Sequence, residues 1–142
     1  MEGVEGKEFL VNNFDDEEEV ERVVSEATKE VLRRTGGAGF PLLCGNTGLR
    51  AIKKGLKRAG ARALVYHYNS NERCSEIKVE EWLRRRRNGK EERVLIADED
   101  VSRGWECSHV LVVDLTGMQD SGLENLVMRT VGYCALVKLA HK

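Results

Sequence analysis

The feature that most constrains the fold of this chain is a pair of short apolar runs separated by a polar segment, within VLIADEDVSRGWECSHVLVVD from Val94 to Asp114. The runs Val94–Ala97 and Val110–Val113 are unbroken rather than alternating, and an aspartate follows each. Such runs are typical of strands buried on both faces, as in a parallel sheet covered by helices. Ligands of open α/β sheets bind at the carboxyl ends of the strands. The loop from Asp98 to Ser108 is therefore the first candidate for a functional loop.

The length and composition predict one globular domain. The chain has 142 residues, of which 41% are hydrophobic and 33% charged, and this suits a single soluble domain with its own core. We therefore expect one domain over residues 1–142, with residues 1–6 disordered. No apolar run approaches the ~18 residues that span a bilayer, and the amino terminus lacks the pattern of a secretion signal. These features favour an intracellular protein, cytoplasmic or nuclear, with no membrane partner.

The charge is nearly balanced in sum but uneven along the chain. The net charge is -1, yet Asp15–Glu21 is acidic while Arg50–Arg58 and Arg84–Lys90 are basic. We expect a polarised surface. The acidic segment is interpreted as helix capping and solvated surface rather than a docking site. Four consecutive arginines, Arg84–Arg87, cannot all face one direction on a helix, so some of them must be solvated; a nucleic-acid contact is the alternative.

The four cysteines predict neither a metal site nor a disulfide framework. They are far apart in the sequence and form no C-x-x-C pair, which argues against zinc. We interpret them as packing thiols and expect Cys74, in a polar loop, to be the most exposed.

The rest of the chain alternates between strand and helix patterns. Helices are predicted over Glu17–Arg34, Leu49–Ala59, Val79–Arg87 and Leu123–Gly132. Strands are predicted over Lys7–Phe14, Phe40–Cys44, Ala63–Tyr68, Val94–Ala97, Val110–Val113 and Ala135–Leu139. Repeated alternation with short connections predicts an α/β fold, a parallel sheet of about five to six strands with helices on both faces.

Two polar loops follow strands at the same predicted edge of the sheet. Gly45–Gly48 is a glycine-bracketed turn from strand to helix, where free backbone amides can bind an anion. It lacks the G-x-x-x-x-G-K-[ST] pattern of a nucleotide-triphosphate loop. A simple capped turn and a contact with an anion or nucleic-acid backbone therefore both remain open. Asn69–Asn71 is the second polar loop. His67, just before it, is interpreted as a half-buried strand residue rather than a catalytic base, since no nucleophile arrangement is evident nearby.

At VLIADEDVSRGWECSHVLVVD the chain resembles the second RecA-like domain of superfamily 1 and superfamily 2 helicases and related NTPases. In those domains a strand ending in a small residue and an acid leads to a Ser/Ala-Arg/Lys-Gly turn, and then to a strand that ends in aspartate. The corresponding residues are Ile96-Ala97-Asp98, Ser102-Arg103-Gly104 and Val110–Asp114. The layout of the family covers about Lys7–Leu139, but the specific motif is confined to Val94–Asp114.

The resemblance implies a RecA-like three-layer sandwich and a set of functional residues. Those implied to contact a nucleotide or phosphate are Ser102, Arg103, Gly104 and Glu106. Those implied to contact nucleic acid are Gly45, Asn46, Thr47, Asn69, Ser70 and Asn71. Arg129 is the catalytic candidate, as a vestigial arginine finger. Physically, Gly104 permits a tight turn, and Arg103 with the amides beside Ser102 can hold a phosphate.

The departures from the family predict that this chain does not hydrolyse ATP by itself. The Walker A lysine and a magnesium-binding acid of a first RecA-like domain are absent from the sequence. The last motif, ENLVMRTVGYCALV, offers only Arg129, and an arginine finger contributes about three to five orders of magnitude to the rate. ATP and magnesium are therefore expected only together with a missing first RecA-like domain of the parent protein.

The expected partners are that N-terminal RecA-like domain and single-stranded nucleic acid. Two alternatives remain open. One is a catalytically dead helicase-like interaction module in a signalling or defence protein, which would dock a protein partner through its helices or a sheet edge. The other is a small doubly wound enzyme or response-regulator-like domain, with a metal at Asp98, Glu99 and Asp100.

Overall fold

The computed structural model describes residues 5–102, 105–116 and 130–140. Within them the chain is an α/β protein with six strands and four helices. The strands are β1 (Glu5–Val11), β2 (Pro41–Cys44), β3 (Ala63–Tyr66), β4 (Val94–Ala97), β5 (Cys107–Asp114) and β6 (Thr130–Leu139). The helices are α1 (Glu17–Thr35), α2 (Leu49–Arg58), α3 (Glu76–Arg87) and the short α4 (Glu99–Ser102).

The six strands form one sheet in the order β1-β6-β5-β2-β4-β3. Every pairing is parallel. β4 and β5, the two apolar runs on which the fold prediction depends, lie on either side of β2 at the centre of the sheet. The predicted parallel sheet with flanking helices is therefore confirmed, and it is consistent with the three-layer RecA-like arrangement.

Helices cover both faces of the sheet. Leu95 packs with Trp82 of α3, whereas the next residue, Ile96, belongs to the core formed with α1 and α2. Successive strand residues point to opposite faces, so the two groups of helices lie on opposite sides. This explains the unbroken apolar run of β4, in which all four residues are buried.

The start of α1 shows why its acidic residues are there. The Asp16 side chain accepts a hydrogen bond from the backbone N–H of Glu19 at 3.2 Å. The Glu19 carboxylate accepts from the backbone N–H of Asn13, before the helix, at 2.7 Å. The Asp16 bond satisfies one of the amide groups that have no partner within the helix, and the Glu19 bond links the preceding chain to the first turn. The capping interpretation is therefore confirmed.

No helix in the described residues is long and apolar enough to cross a membrane.

Pro41 occupies the first position of β2, which is the place in a central strand where a missing N–H is tolerated.

Several element boundaries differ from the sequence prediction; β5, for example, begins at Cys107 rather than Val110. β1 begins at Glu5 and ends at Val11, so Glu5 and Gly6 belong to a strand rather than a disordered end; residues 1–4 lie outside the described residues. β3 ends at Tyr66, because the chain turns so that the backbone N–H of Cys74 donates to the Val65 carbonyl at 2.8 Å. α3 begins at Glu76, three residues early, with Ser75 as its cap.

The last predicted helix was wrong at its carboxyl end. Thr130–Gly132 form the start of β6 rather than the end of a helix. Gly132 lies so close to β5 that a Cβ atom built on it would be 2.5 Å from the Ser108 carbonyl oxygen. Gly132 therefore allows β5 and β6 to approach each other closely, whereas the sequence pattern predicted the end of a helix here. The rest of that predicted helix, residues 123–129, lies outside the described residues.

Candidate functional site

The ends of β2, β3 and β4 are level at one edge of the sheet. Leu43 of β2 pairs with Ala97 of β4, which in turn pairs with Tyr66 of β3. The loops that leave these strands therefore start side by side. This is the carboxyl edge, where open α/β sheets bind ligands.

A hydrogen bond joins the two loops predicted to contact nucleic acid. The Asn69 side-chain amide donates to the Asn46 side-chain oxygen at 3.0 Å, and both residues are exposed. Gly45 and Thr47 flank Asn46. Ser70 follows Asn69, and the Ser70 Oγ accepts from the backbone N–H of Glu72 at 3.1 Å. The predicted residues from separate parts of the sequence therefore form one surface.

His67 is buried beneath these two loops and links them by hydrogen bonds. It is fully buried, with Nε2 at 3.1 Å from the Cys44 carbonyl oxygen and Nδ1 accepting from the backbone N–H of Asn69 at 3.2 Å. Because Nδ1 accepts, the proton lies on Nε2, which donates to Cys44. Both ring nitrogens are occupied by backbone groups, so His67 links the ends of β2 and β3. It is more buried than the sequence suggested.

Asp98 is the second buried link at this edge. One of its oxygens accepts from the backbone N–H of Tyr68 at 3.3 Å and the other from the backbone N–H of Val101 at 3.0 Å. The carboxylate therefore joins the β3 loop to α4. Burial, with the nearby Asp98 charge, raises the pKa of the Cys44 thiol to about 12, so Cys44 is not a nucleophile at neutral pH. No metal-binding group of His, Cys, Asp and Glu occurs among the residues described.

A cavity adjoins the first turn of α2. Gly48 precedes the helix with a φ of 83°, and no side chain caps the helix start. The cavity has a volume of about 320 Å³ and is lined by Thr47, Gly48 and Arg50, and by Phe14 and Asp15 among others. A glycine is required at position 48, since a Cβ there would be strained and would meet Leu115 at 2.8 Å.

The outer face of α2 is basic, but part of its charge is paired. Lys53 contacts Glu72 at 3.3 Å, and Arg50 and Lys54 both contact Glu17, at 3.5 and 3.4 Å. Exposed pairs of this kind contribute about 0–1 kcal/mol, so a phosphate can compete for these cations. Lys57 and Arg58 are exposed on the same helix.

The structure does not bring the predicted phosphate residues to one place. Ser102 is buried in α4, close to Asp98 at the carboxyl edge. Glu106 precedes β5, seven positions before Val113, which pairs with Cys44. At ~3.3 Å per residue, Glu106 lies about 20 Å from that edge. Arg103, Gly104 and Arg129 lie outside the described residues, so their roles stay predictions.

Trp105 and Glu106 instead contact α3. The Trp105 ring stacks on Trp82 with the ring centroids 6.5 Å apart. Arg86 donates from its guanidinium to the Glu106 carbonyl at 3.1 Å and lies over the Trp82 ring. The other three residues of the arginine run are exposed, as the sequence predicts. The Trp105 side chain thus packs against α3.

Comparison of the sequence with models of known protein families gave no match, and comparison with curated proteins gave none either. Any function proposed for this chain therefore depends on its fold and on the geometry of this edge.

One residue at the edge was not singled out from the sequence. Tyr68 is 52% exposed, and its ring stacks on that of His67. The sequence placed it at the end of β3 as a strand residue. The available signal was an aromatic residue directly before a polar loop, at an edge already expected to contact nucleic acid.

Proposed function

We propose that this chain is the C-terminal RecA-like domain of a helicase-like NTPase, and that it binds the backbone of single-stranded nucleic acid where β2 and β3 end. The observation that supports this most directly is the hydrogen bond between Asn46 and Asn69. It unites the two loops that the sequence assigned to nucleic acid, although they are separated by the whole of α2 and β3.

The chemistry of the joined loops suits a phosphate and sugar backbone. Asparagine amides, backbone N–H groups and helix amino termini are among the groups that contact nucleic-acid backbones. Here the uncapped start of α2 and the Asn46–Asn69 pair lie beside each other. The cations of α2 add long-range attraction for a polyanion.

In this proposal the chain contributes contacts but does not hydrolyse ATP alone. The N-terminal RecA-like domain of the parent protein is the partner that supplies the nucleotide site, with ATP and magnesium. Arg103 and Gly104, with Ser102, contact a phosphate, and Arg129 is the candidate finger. At a rise of ~3.3 Å per residue, Glu106 lies about 20 Å from the carboxyl edge, where Ser102 is found. This distance argues against Glu106 and Ser102 contacting the same phosphate.

The proposal is tested by titrating a labelled single-stranded oligonucleotide and following its fluorescence anisotropy. We expect binding at low salt that weakens as salt rises from about 50 to 200 mM, because cations are released from the phosphates. Replacing Asn46 and Asn69 together by alanine should weaken binding, while Asn88→Ala, an exposed asparagine after α3, should not. Absence of binding at low salt, or affinity indifferent to salt, would discard the proposal.

A second candidate is the interaction module, favoured by the edge strand β1. It lies at one edge of the sheet, most of its residues are exposed, and Leu10 is 49% exposed. An edge of this kind can pair with a strand of another protein. A pull-down in which Leu10→Lys abolishes binding of a protein partner, while Arg103→Ala has no effect, would favour this candidate.

A further inference from the structure

Tyr68 presents an aromatic ring at the joined loops. The residue is 52% exposed, and its ring lies over that of His67 with the centroids 4.9 Å apart and the planes inclined by 14°. The buried His67 side chain thus covers one face of the Tyr68 ring. The exposed surface is the rest of Tyr68. Neighbouring Tyr66, by contrast, is buried beneath the guanidinium of Arg73, 4.0 Å from its ring centroid.

The Tyr68 backbone and the His67 ring that covers one face of Tyr68 are both held by hydrogen bonds. The Tyr68 backbone N–H donates to the Asp98 carboxylate at 3.3 Å. The His67 ring beneath it is held at one nitrogen by the Cys44 carbonyl and at the other by the backbone N–H of Asn69. A ring held in this way loses little conformational freedom when a ligand binds to it, so more of the contact energy appears as affinity.

We propose that Tyr68 is a stacking platform for one base of a single-stranded nucleic acid. This inference rests on the function proposed above and identifies its ligand more closely. Aromatic side chains beside a backbone-binding groove stack on unpaired bases, and every base offers a ring face to them. Asn69, the next residue in the chain, belongs to the Asn46–Asn69 pair, so base and backbone contacts adjoin each other.

The proposal predicts a preference for single strands over duplexes. In a duplex the faces of the bases are stacked on one another, and a protein ring reaches one only if the base is unstacked. A platform at Tyr68 therefore contributes to binding of single strands but not of intact duplexes. It should show little preference for sequence, because stacking depends on the ring face rather than on the hydrogen-bonding edge.

The experiment compares a short single-stranded oligonucleotide with an abasic one of the same length and backbone. Both are titrated into the wild-type chain and into Tyr68→Ala, Tyr68→Phe and Ile77→Ala. Phenylalanine retains the ring, and Ile77 is a control because it is 75% exposed on α3. Circular dichroism and the thermal midpoint establish that each variant is folded; the substitutions leave the backbone bond of Tyr68 to Asp98 intact.

We expect Tyr68→Ala to weaken binding of the base-bearing strand about tenfold, within the range that stacking of one base contributes. Tyr68→Phe and Ile77→Ala should bind as the wild type does. The alanine substitution should have little effect on the abasic strand, which already binds the wild type more weakly. Equal binding of both strands by the wild type, or an unchanged affinity in Tyr68→Ala, would overturn the platform while leaving backbone binding in place. Failure of the wild type to bind either strand would overturn both proposals.

Discussion

Buried polar side chains, each satisfied by backbone groups, hold this edge of the sheet together. His67 and Asp98 lie beneath exposed loops, and between them they bond to the backbone at the end of β2 and after β3 and β4. A buried polar group costs free energy unless it is hydrogen-bonded. Their full satisfaction therefore indicates positioning roles rather than roles in acid–base chemistry.

Glu91 is a further buried acid, held just before β4. Its side chain is almost fully buried and accepts from the backbone N–H and the guanidinium of Arg93, at 2.8 and 2.9 Å. Burial alone raises the pKa of Glu91, but the hydrogen bonds and charge of Arg93, with the charge of Arg85, lower it overall below its ordinary value. The ionised carboxylate thus stabilises the folded state.

We predict that Glu91→Gln lowers the free energy of unfolding by about 2 kcal/mol at neutral pH, the scale of a hydrogen bond to a charged group. Because the folded pKa is depressed, the contribution of Glu91 is present above its unfolded pKa of about 4.3 and is lost as pH falls through the folded value. Urea unfolding at several pH values measures this. A difference between wild type and variant that stays constant down to acid pH would contradict the assignment.

The cysteines give a second prediction at this scale. Cys44, Cys107 and Cys134 are buried, while Cys74 is partly exposed, so the expectation of packing thiols is confirmed. Burial raises the pKa of Cys74 and Cys107 as well as that of Cys44, so all three react slowly. In the folded protein a thiol reagent should modify Cys74 first, and Cys74→Ser should remove that phase. Rapid modification of the folded Cys74→Ser variant would contradict the burial of the other three.

At the scale of elements, α1 and α2 pack closely because of one glycine. A Cβ built on Gly55 of α2 would lie 2.8 Å from the Val24 side chain and 2.9 Å from the Glu21 carbonyl oxygen of α1. No real Cβ atom makes contacts this short without displacement of its neighbours, and here one neighbour is backbone.

We predict that Gly55→Ala destabilises the fold by about 1–3 kcal/mol, the usual cost of overpacking. Alanine has a higher helix propensity than glycine, which by itself would stabilise α2. The predicted loss therefore requires that the packing penalty exceed this gain. Gly45→Ala is the matched control, because its Cβ would meet open space. Chemical denaturation of both variants provides the measurement; a Gly55→Ala protein as stable as the wild type would show that the helices are not packed this closely.

The element boundaries show what the sequence could and could not predict. β4 was predicted to the residue because its four apolar side chains are buried on both faces. The start of α3 was missed because Glu76–Lys78 are all exposed and so provide no apolar period. The start of β6 was misread because Thr130–Gly132 continue a helix-like pattern, and only pairing with β5, through the close approach of Gly132 to Ser108, reveals the strand.

At the scale of the whole molecule, the parallel sheet determines which residues meet. Gly45–Gly48 and Asn69–Asn71 were predicted to share an edge because parallel strands end together, and the register of β2, β4 and β3 confirms it. The same rule misplaced Glu106. The chain must return along the sheet before β5 begins, so only the first part of the loop after β4 lies at the carboxyl edge. Tyr68 was missed because its exposure depends on where β3 ends.

The central claim, that single-stranded nucleic acid binds at the joined loops, is tested most directly by mapping amide chemical shifts. An isotope-labelled chain is titrated with a short single-stranded oligonucleotide, and the shift of each backbone amide is followed. We expect the largest changes at Gly45–Gly48 and at His67–Asn71, and small ones along α3 and β1. Changes centred on Arg84–Arg87, or no changes at low salt, would contradict the assignment of this edge as the nucleic-acid interface.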